Sequence, residues 1–126
     1  MHPTINLPTG LRIAKKLAAS KPLKQNSRYR LGACLMLGSK IISKGTNEKK
    51  THPIMFKLNP LKTLHAEINC IKSIPPPLHY HTLYIFRIKA DGTSGLSKPC
   101  EACMVFLLRQ QIGRIFYSTD DSNYKI

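Results

Sequence analysis

Three consecutive segments in the second half of the chain constrain its fold more than any other part. "HTLYIFRIK", His81 to Lys89, is rich in β-branched and aromatic residues and reads as a buried strand. "CEACMVFLLRQQ", from Cys100, has the apolar run of a buried helix, and "GRIFYSTD", from Gly113, reads as a further strand. Strands connected through a helix lie parallel in one sheet, with the helix crossing a face of it.

The upstream segments extend this plan. In "GLRIAKKLAA" the spacing of Leu11, Ala14, Leu17 and Ala18 predicts an amphipathic helix with cations on its other side. "YRLGACLMLGSKIIS", Tyr29 to Ser43, reads as two short strands joined by a turn at Gly38 and Ser39, hence a hairpin. Lys44 to Pro60, "KGTNEKKTHPIMFKLNP", is aperiodic and reads as a long loop, a kind of segment that commonly carries function. "LKTLHAEINCIKSI" regains helical spacing through Leu64, Ile68, Ile71 and Ile74, with Thr63 as its cap and the prolines at 75 to 77 ending it. "ADGTSGLSKP", before Cys100, reads as a loop. The order helix, hairpin, helix, strand, helix, strand predicts an α/β fold of three α/β/α layers around one sheet.

At 126 residues, one domain spanning 1–126 is expected. No apolar run approaches the roughly 18 residues of a membrane span. Arg12, Lys15 and Lys16 interrupt what would have to be the apolar stretch of a secretory signal. Four cysteines are too few for a disulfide-built scaffold, so a reducing, cytoplasmic setting is expected. The charge is one-sided: 20 Lys plus Arg against 6 Asp plus Glu, a formal net of +14. No acidic residue precedes Glu48, while Arg12, Lys15, Lys16, Lys21, Lys24, Arg28, Arg30, Lys40 and Lys44 all do. Such a field gathers polyanions, and it points to an anionic partner: a polynucleotide, a nucleotide phosphate or an acidic protein.

Cys100 and Cys103 have three readings: a redox pair, half of a structural zinc knuckle, or part of a catalytic metal site. The redox reading has the strand-then-helix context but no recognisable redox signature between the cysteines. A knuckle needs four protein ligands, and the remaining cysteines, Cys34 and Cys70, sit in apolar runs that look like core. With His65 the two cysteines make three ligands, the count of a catalytic zinc that keeps a fourth position for water. Spaced i and i+3, they share one side of a helix whose N-terminal amides favour thiolates, and Pro99 suits the start of such a helix. Glu67, two residues from His65, would hang beside the metal in a proton shuttle's position.

His65-x-Glu67 followed by Pro99-Cys100-x-x-Cys103 resembles the signature of the zinc-dependent cytidine and deoxycytidylate deaminase superfamily. "KGTNEKKTHP" looks like that superfamily's substrate loop and "RQQIGRIFYSTDD" like the segment after its second motif, so the resemblance covers most of the chain from about Tyr29. It implies a central mixed sheet backed by helices, and one zinc ion held by His65, Cys100 and Cys103. It also implies hydrolytic deamination, with Glu67 moving protons between water and the ring. Substrate contacts are implied for Asn47, for the Ala66 amide and for the Lys98 carbonyl. Lys98 stands where some members have serine, and its side chain could meet a phosphate. After Ser118 only "TDDSNYKI" remains, so a C-terminally short version of the fold is expected, lacking most of the final strand and helices of many relatives.

The leading expectation is a hydrolase converting cytosine to uracil in single-stranded DNA or RNA, supported by the charge and by aromatics such as Tyr29, Tyr80 or Tyr124 that could stack a base. A free nucleotide or nucleoside deaminase, such as a deoxycytidylate deaminase, needs the same residues and a smaller cationic pocket. A tRNA adenosine deaminase rests on the "IGRIFY" likeness alone. A catalytically silent zinc-binding module would have no use for Glu67.

Overall fold

The computed structural model describes residues 7–20, 29–47, 65–120 and 124–125. Its elements are α1 (Thr9–Ser20), β1 (Tyr29–Leu37), β2 (Lys40–Thr46), α2 (Ala66–Ile71), β3 (Thr82–Lys89), β4 (Ser94–Gly95), α3 (Glu101–Arg109), β5 (Arg114–Ser118) and β6 (Tyr124–Lys125). The sheet runs β2-β1-β3-β5-β6, with β4 pairing to β3.

The hairpin forms where the sequence places it. Leu37 faces Lys40 across Gly38 and Ser39, and Gly38 takes φ +60°, a left-handed value that glycine adopts without strain. β3 and β5, connected through α3, are parallel neighbours. β2 and β3, connected through α2, also point the same way, but β1 lies between them and pairs antiparallel with both. The result is a mixed sheet.

Alternation along β3 sorts the core onto two faces. Leu83 and Ile85 join Leu31, Ala33 and Leu35 of β1 against Ala66, Cys70 and Ile71 of α2 and Leu107 of α3. Phe86 and Ile88 pack on the other face against Leu11, Ala14 and Ala18 of α1. Helix α1 therefore covers one face and α2 with α3 the other, giving the three layers. Cys34 and Cys70 are both buried, as core cysteines. Among the described residues no helix is long and apolar enough to cross a membrane.

Two strand glycines set how closely the helices approach. A Cβ on Gly32 would fall on the backbone of α1 at Ala14, and one on Gly45 would fall on the backbone of α2 at Cys70 and Ala66. Because the obstructing atoms are main-chain, no rotamer change can relieve the overlap.

Several boundaries differ from the sequence expectations. Lys44 to Thr46, expected in the loop, continue β2, because they pair with Cys34, Ala33 and Gly32 of β1. The rest of that loop lies outside the described residues apart from Asn47. Ser94 and Gly95, also expected in a loop, form the short bridge of β4. Helix α2 ends at Ile71, ahead of the prolines, and a turn carries the chain on to Ile74, whose N–H bonds Ile71 O at 3.0 Å. Among the described residues β6 pairs Lys125 and Tyr124 with Tyr117 and Ser118.

Replacing Gly32 by alanine is expected to force α1 off the sheet and to destabilise the fold by about 2–3 kcal/mol, read as a lower midpoint in chemical denaturation. An unchanged midpoint would mean that α1 does not pack there.

Candidate metal centre

The C-terminal ends of β2, β3 and β5 lie at one end of the sheet, and the helices that cover this face begin there. His65 occupies the N-cap of α2 in an extended conformation, φ −72° and ψ 151°, yet its side chain makes no capping hydrogen bond. The ring faces the other helix instead, with Nδ1 3.0 Å from Cys103 Sγ and 4.0 Å from Cys100 Sγ. His65 holds the N-cap position, and Thr63, the cap expected from the sequence, lies outside the described residues.

Cys100 is the N-cap of α3 and uses its sulfur for that role, accepting from the Cys103 N–H at 3.4 Å. Cys103 comes one turn later, so both sulfurs fall on one side of the helix. Cys100 is exposed, whereas Cys103 is buried against Ile68 of α2 and Phe106. The apolar contact between α2 and α3 thus holds the histidine and the cysteines together.

These residues suit zinc. The three donor atoms lie within 4.8 Å of one another, and no other described group of His, Cys, Asp or Glu meets that test. Zinc bonds of about 2.1 Å to nitrogen and 2.3 Å to sulfur place tetrahedral donors about 3.6 Å apart, which the 3.0 and 4.0 Å separations bracket. One imidazole and two thiols are a borderline-to-soft donor set of the kind zinc prefers.

Glu67 completes the cluster. It is 3% exposed, with Oε1 3.9 Å from His65 Nδ1 and with Oε2 lacking a hydrogen-bond partner among the described residues. Burial pushes its carboxyl above the usual range, against the pull of its own backbone amide and of His65. Burial, then the facing Glu67 charge, pushes the Cys103 thiol up as well. The protein alone therefore disfavours the ionised forms, and a bound cation reverses that preference.

The remaining expected site residues surround this cluster. Asn47 follows β2, and its Oδ1 accepts from Leu31 N at 2.8 Å, so its carbonyl end ties the hairpin together. Ala66 is buried in the first turn of α2, and Lys98 is exposed two residues before Cys100. Tyr80, though 79% exposed, precedes β3 at the opposite end of the sheet and cannot stack a base held at the metal centre. The side chains of Tyr29 and Tyr124 lie outside the description. Arg12, Lys15 and Lys16 are exposed on α1, across the sheet from the cluster. Sequence reasoning missed Ser97 and Ser118, which are buried beside the segment leading to Cys100. Two serines in loop-like and strand-like stretches carry no periodic signal.

A three-layer α/β/α fold that gathers one imidazole, two thiols and a buried carboxylate at the ends of parallel strands defines a zinc-dependent hydrolase of the deaminase type. The family described as "Cytidine and deoxycytidylate deaminase zinc-binding region" matches residues 7–119, and the chain belongs to it. Its cofactor is a single zinc ion, and its chemistry is zinc-dependent deamination. A search of curated proteins found no match.

The burial pattern sets an order of thiol reactivity. With zinc stripped, iodoacetamide at about pH 8 is expected to modify exposed Cys100 first and Cys103 much more slowly. Cys34 and Cys70 should react only on unfolding, the Cys70 thiol being pushed up to about 12 by burial. Restoring zinc should protect both Cys100 and Cys103. Equal labelling of all four in the native protein, read by peptide mass spectrometry, would contradict this arrangement.

Proposed function

We propose that the chain deaminates cytosine to uracil within a single-stranded polynucleotide, DNA or RNA. The observation that carries the catalytic part is the Glu67 carboxylate, buried beside the three donors with an oxygen unsatisfied among the described residues. In this reading His65, Cys100 and Cys103 hold one zinc ion per chain. Bound there, zinc supplies a Lewis acid that lowers the pKa of water toward neutrality. Glu67 takes a proton from the attacking water and delivers it to N3 of the ring. It later passes the second water proton to the exocyclic nitrogen, so that ammonia leaves C4 and the water oxygen stays. The Ala66 amide and the Asn47 side-chain amide orient the base or sugar, and the Lys98 carbonyl accepts from the exocyclic amine. A reducing, cytoplasmic setting, in which two thiols stay available to the metal, belongs to the same reading.

The polynucleotide part rests on charge. A net of +14 exceeds what one mononucleotide would engage. Lys98 is exposed beside Cys100, within reach of a phosphate of the chain that carries the base. The cations of α1, on the other face, act on such a strand through the long-range field rather than by contact at the target base.

Glu67→Ala is expected to keep its zinc, by metal analysis, and to lose about 10²–10⁴-fold in turnover. A variant that keeps zinc and still deaminates would overturn the mechanism. Incubation with cytidine, dCMP, single-stranded and duplex oligonucleotides and tRNA is expected to give uracil fastest in the single-stranded substrates. Turnover confined to dCMP or cytidine would establish the nucleotide deaminase reading, and inosine in tRNA would establish the adenosine one. Lys98→Ala is expected to weaken oligonucleotide binding and to lower the slope of log K against log salt by about 0.7, the contribution of one phosphate contact on a single strand.

A further inference from the structure

The segment that delivers Cys100 is anchored at a place where the sheet divides. β3 and β5 pair in parallel from Thr82 and Arg114 as far as Ile85 and Tyr117. Beyond that point the backbone groups that would have continued the ladder meet two hydroxyls instead. Ser97 Oγ donates to Ile85 O of β3 at 2.9 Å and accepts from Ser118 N of β5 at 2.8 Å. Ser118 Oγ accepts from Arg87 N of β3 at 3.0 Å and donates to Gly95 O of β4 at 2.7 Å. The two hydroxyl oxygens are 2.9 Å apart, and Ser97 N donates to Ser118 O at 2.9 Å. Both residues are buried, Ser97 at 6% and Ser118 at 0% exposure.

A polar pair placed there satisfies main-chain groups on three strands that would otherwise be buried unpaired. It also fixes the chain immediately upstream of the metal centre. Cys100 follows Ser97 by three residues, one of them Pro99, whose ring locks its φ, so little freedom remains between the hydroxyl and the first thiol. Cys100 in turn caps α3 and aligns Cys103 through its amide.

We infer that the Ser97–Ser118 hydroxyl pair is the positioning element that sets Cys100 and Cys103 against His65, and thereby sets the affinity for zinc. This rests on those three residues being the ligands. Positioning of ligands by groups outside the first coordination layer is worth about 10–100-fold in metal affinity. The two residues should act as a unit, because Ser97 Oγ accepts from the Ser118 N–H and the Ser97 N–H donates to Ser118 O, so loss of either hydroxyl disturbs the same junction.

The test is zinc affinity by competition with a chromogenic chelator, in Ser97→Ala, Ser118→Ala, the double variant, and Leu11→Ala as a control. Leu11 is a buried residue of α1, packed on the far face of the sheet, so its truncation destabilises the fold without touching the segment. Each serine variant is expected to lose at least tenfold in zinc affinity, with the double variant losing little more than either single. Ser97→Thr, which keeps the hydroxyl, should stay within a few-fold of the unaltered protein. Leu11→Ala should lower thermal stability as much or more while leaving zinc affinity unchanged. Should Ser118→Ala not fold, Ser97→Ala and Ser97→Thr carry the comparison, since Ser118 still holds Arg87 and Gly95 in both. Unchanged affinity in Ser97→Ala, or an equal loss in Leu11→Ala, would overturn the inference. The ligand assignment is checked apart from it by His65→Ala, because normal zinc binding in that variant would sink the assignment itself.

Discussion

The folded chain brings together groups that resist ionisation side by side unless a cation joins them. Two thiols and a carboxylate are packed at one end of the sheet, the carboxylate and one thiol out of contact with water. Two unit negative charges about 4 Å apart repel by about 4 kcal/mol at an effective dielectric constant of 20, before any cost of leaving water. The protein supplies small local relief: one amide of α3 to Cys100, and the Glu67 backbone amide and the His65 ring to the carboxylate. None of these offsets more than a fraction of the charge that the ionised cluster would carry. A divalent ion does so, and the same ion gives the carboxylate a reason to be there.

The architecture follows from the need to present these groups without exposing them. Apolar contact among Ile68, Cys103 and Phe106 joins the two helices that carry the site. Close docking of α2 across Gly45 fixes the height of His65 over the sheet. The Asn69 side chain, donating to Thr46 O at 3.0 Å, and Ser43, donating to Cys70 O at 2.5 Å, tie the same helix to β2 at two further points. The histidine is thereby held from β2, and the segment leading to the cysteines from β3 and β5.

Much of this was legible in the sequence because it has a period or a motif. The helix of Leu11, Ala14 and Ala18, the hairpin at Gly38 and the β3-α3-β5 unit all follow from spacing, and the pairing of His65 with Cys100 and Cys103 follows from ligand chemistry. What escaped has no local signature. Whether Lys44 to Thr46 extend a strand depends on partners in β1, ten to fourteen positions away in sequence. The role of Ser97 depends on where β3 and β5 part, which no window of sequence contains. Tyr80 looked suitable by residue type, but stacking depends on which end of a strand it adjoins. The one-sided charge was legible as a total, and only the fold shows that Arg12, Lys15 and Lys16 stand on the outer side of α1, across the sheet from the site.

The ligands also differ in when they can meet. Cys100 and Cys103 are neighbours on one short helix, whereas His65 stands 38 positions before Cys103, on another. A knuckle whose donors come from adjacent turns can capture its ion early and fold around it. Here the hairpin, β3 and α3 must all be in place before the histidine faces the sulfurs, so the full set of three donors is a property of the assembled sheet. The three donors therefore meet only in a chain whose sheet is assembled, because the histidine and the sulfurs face one another from two helices docked on the same side of it.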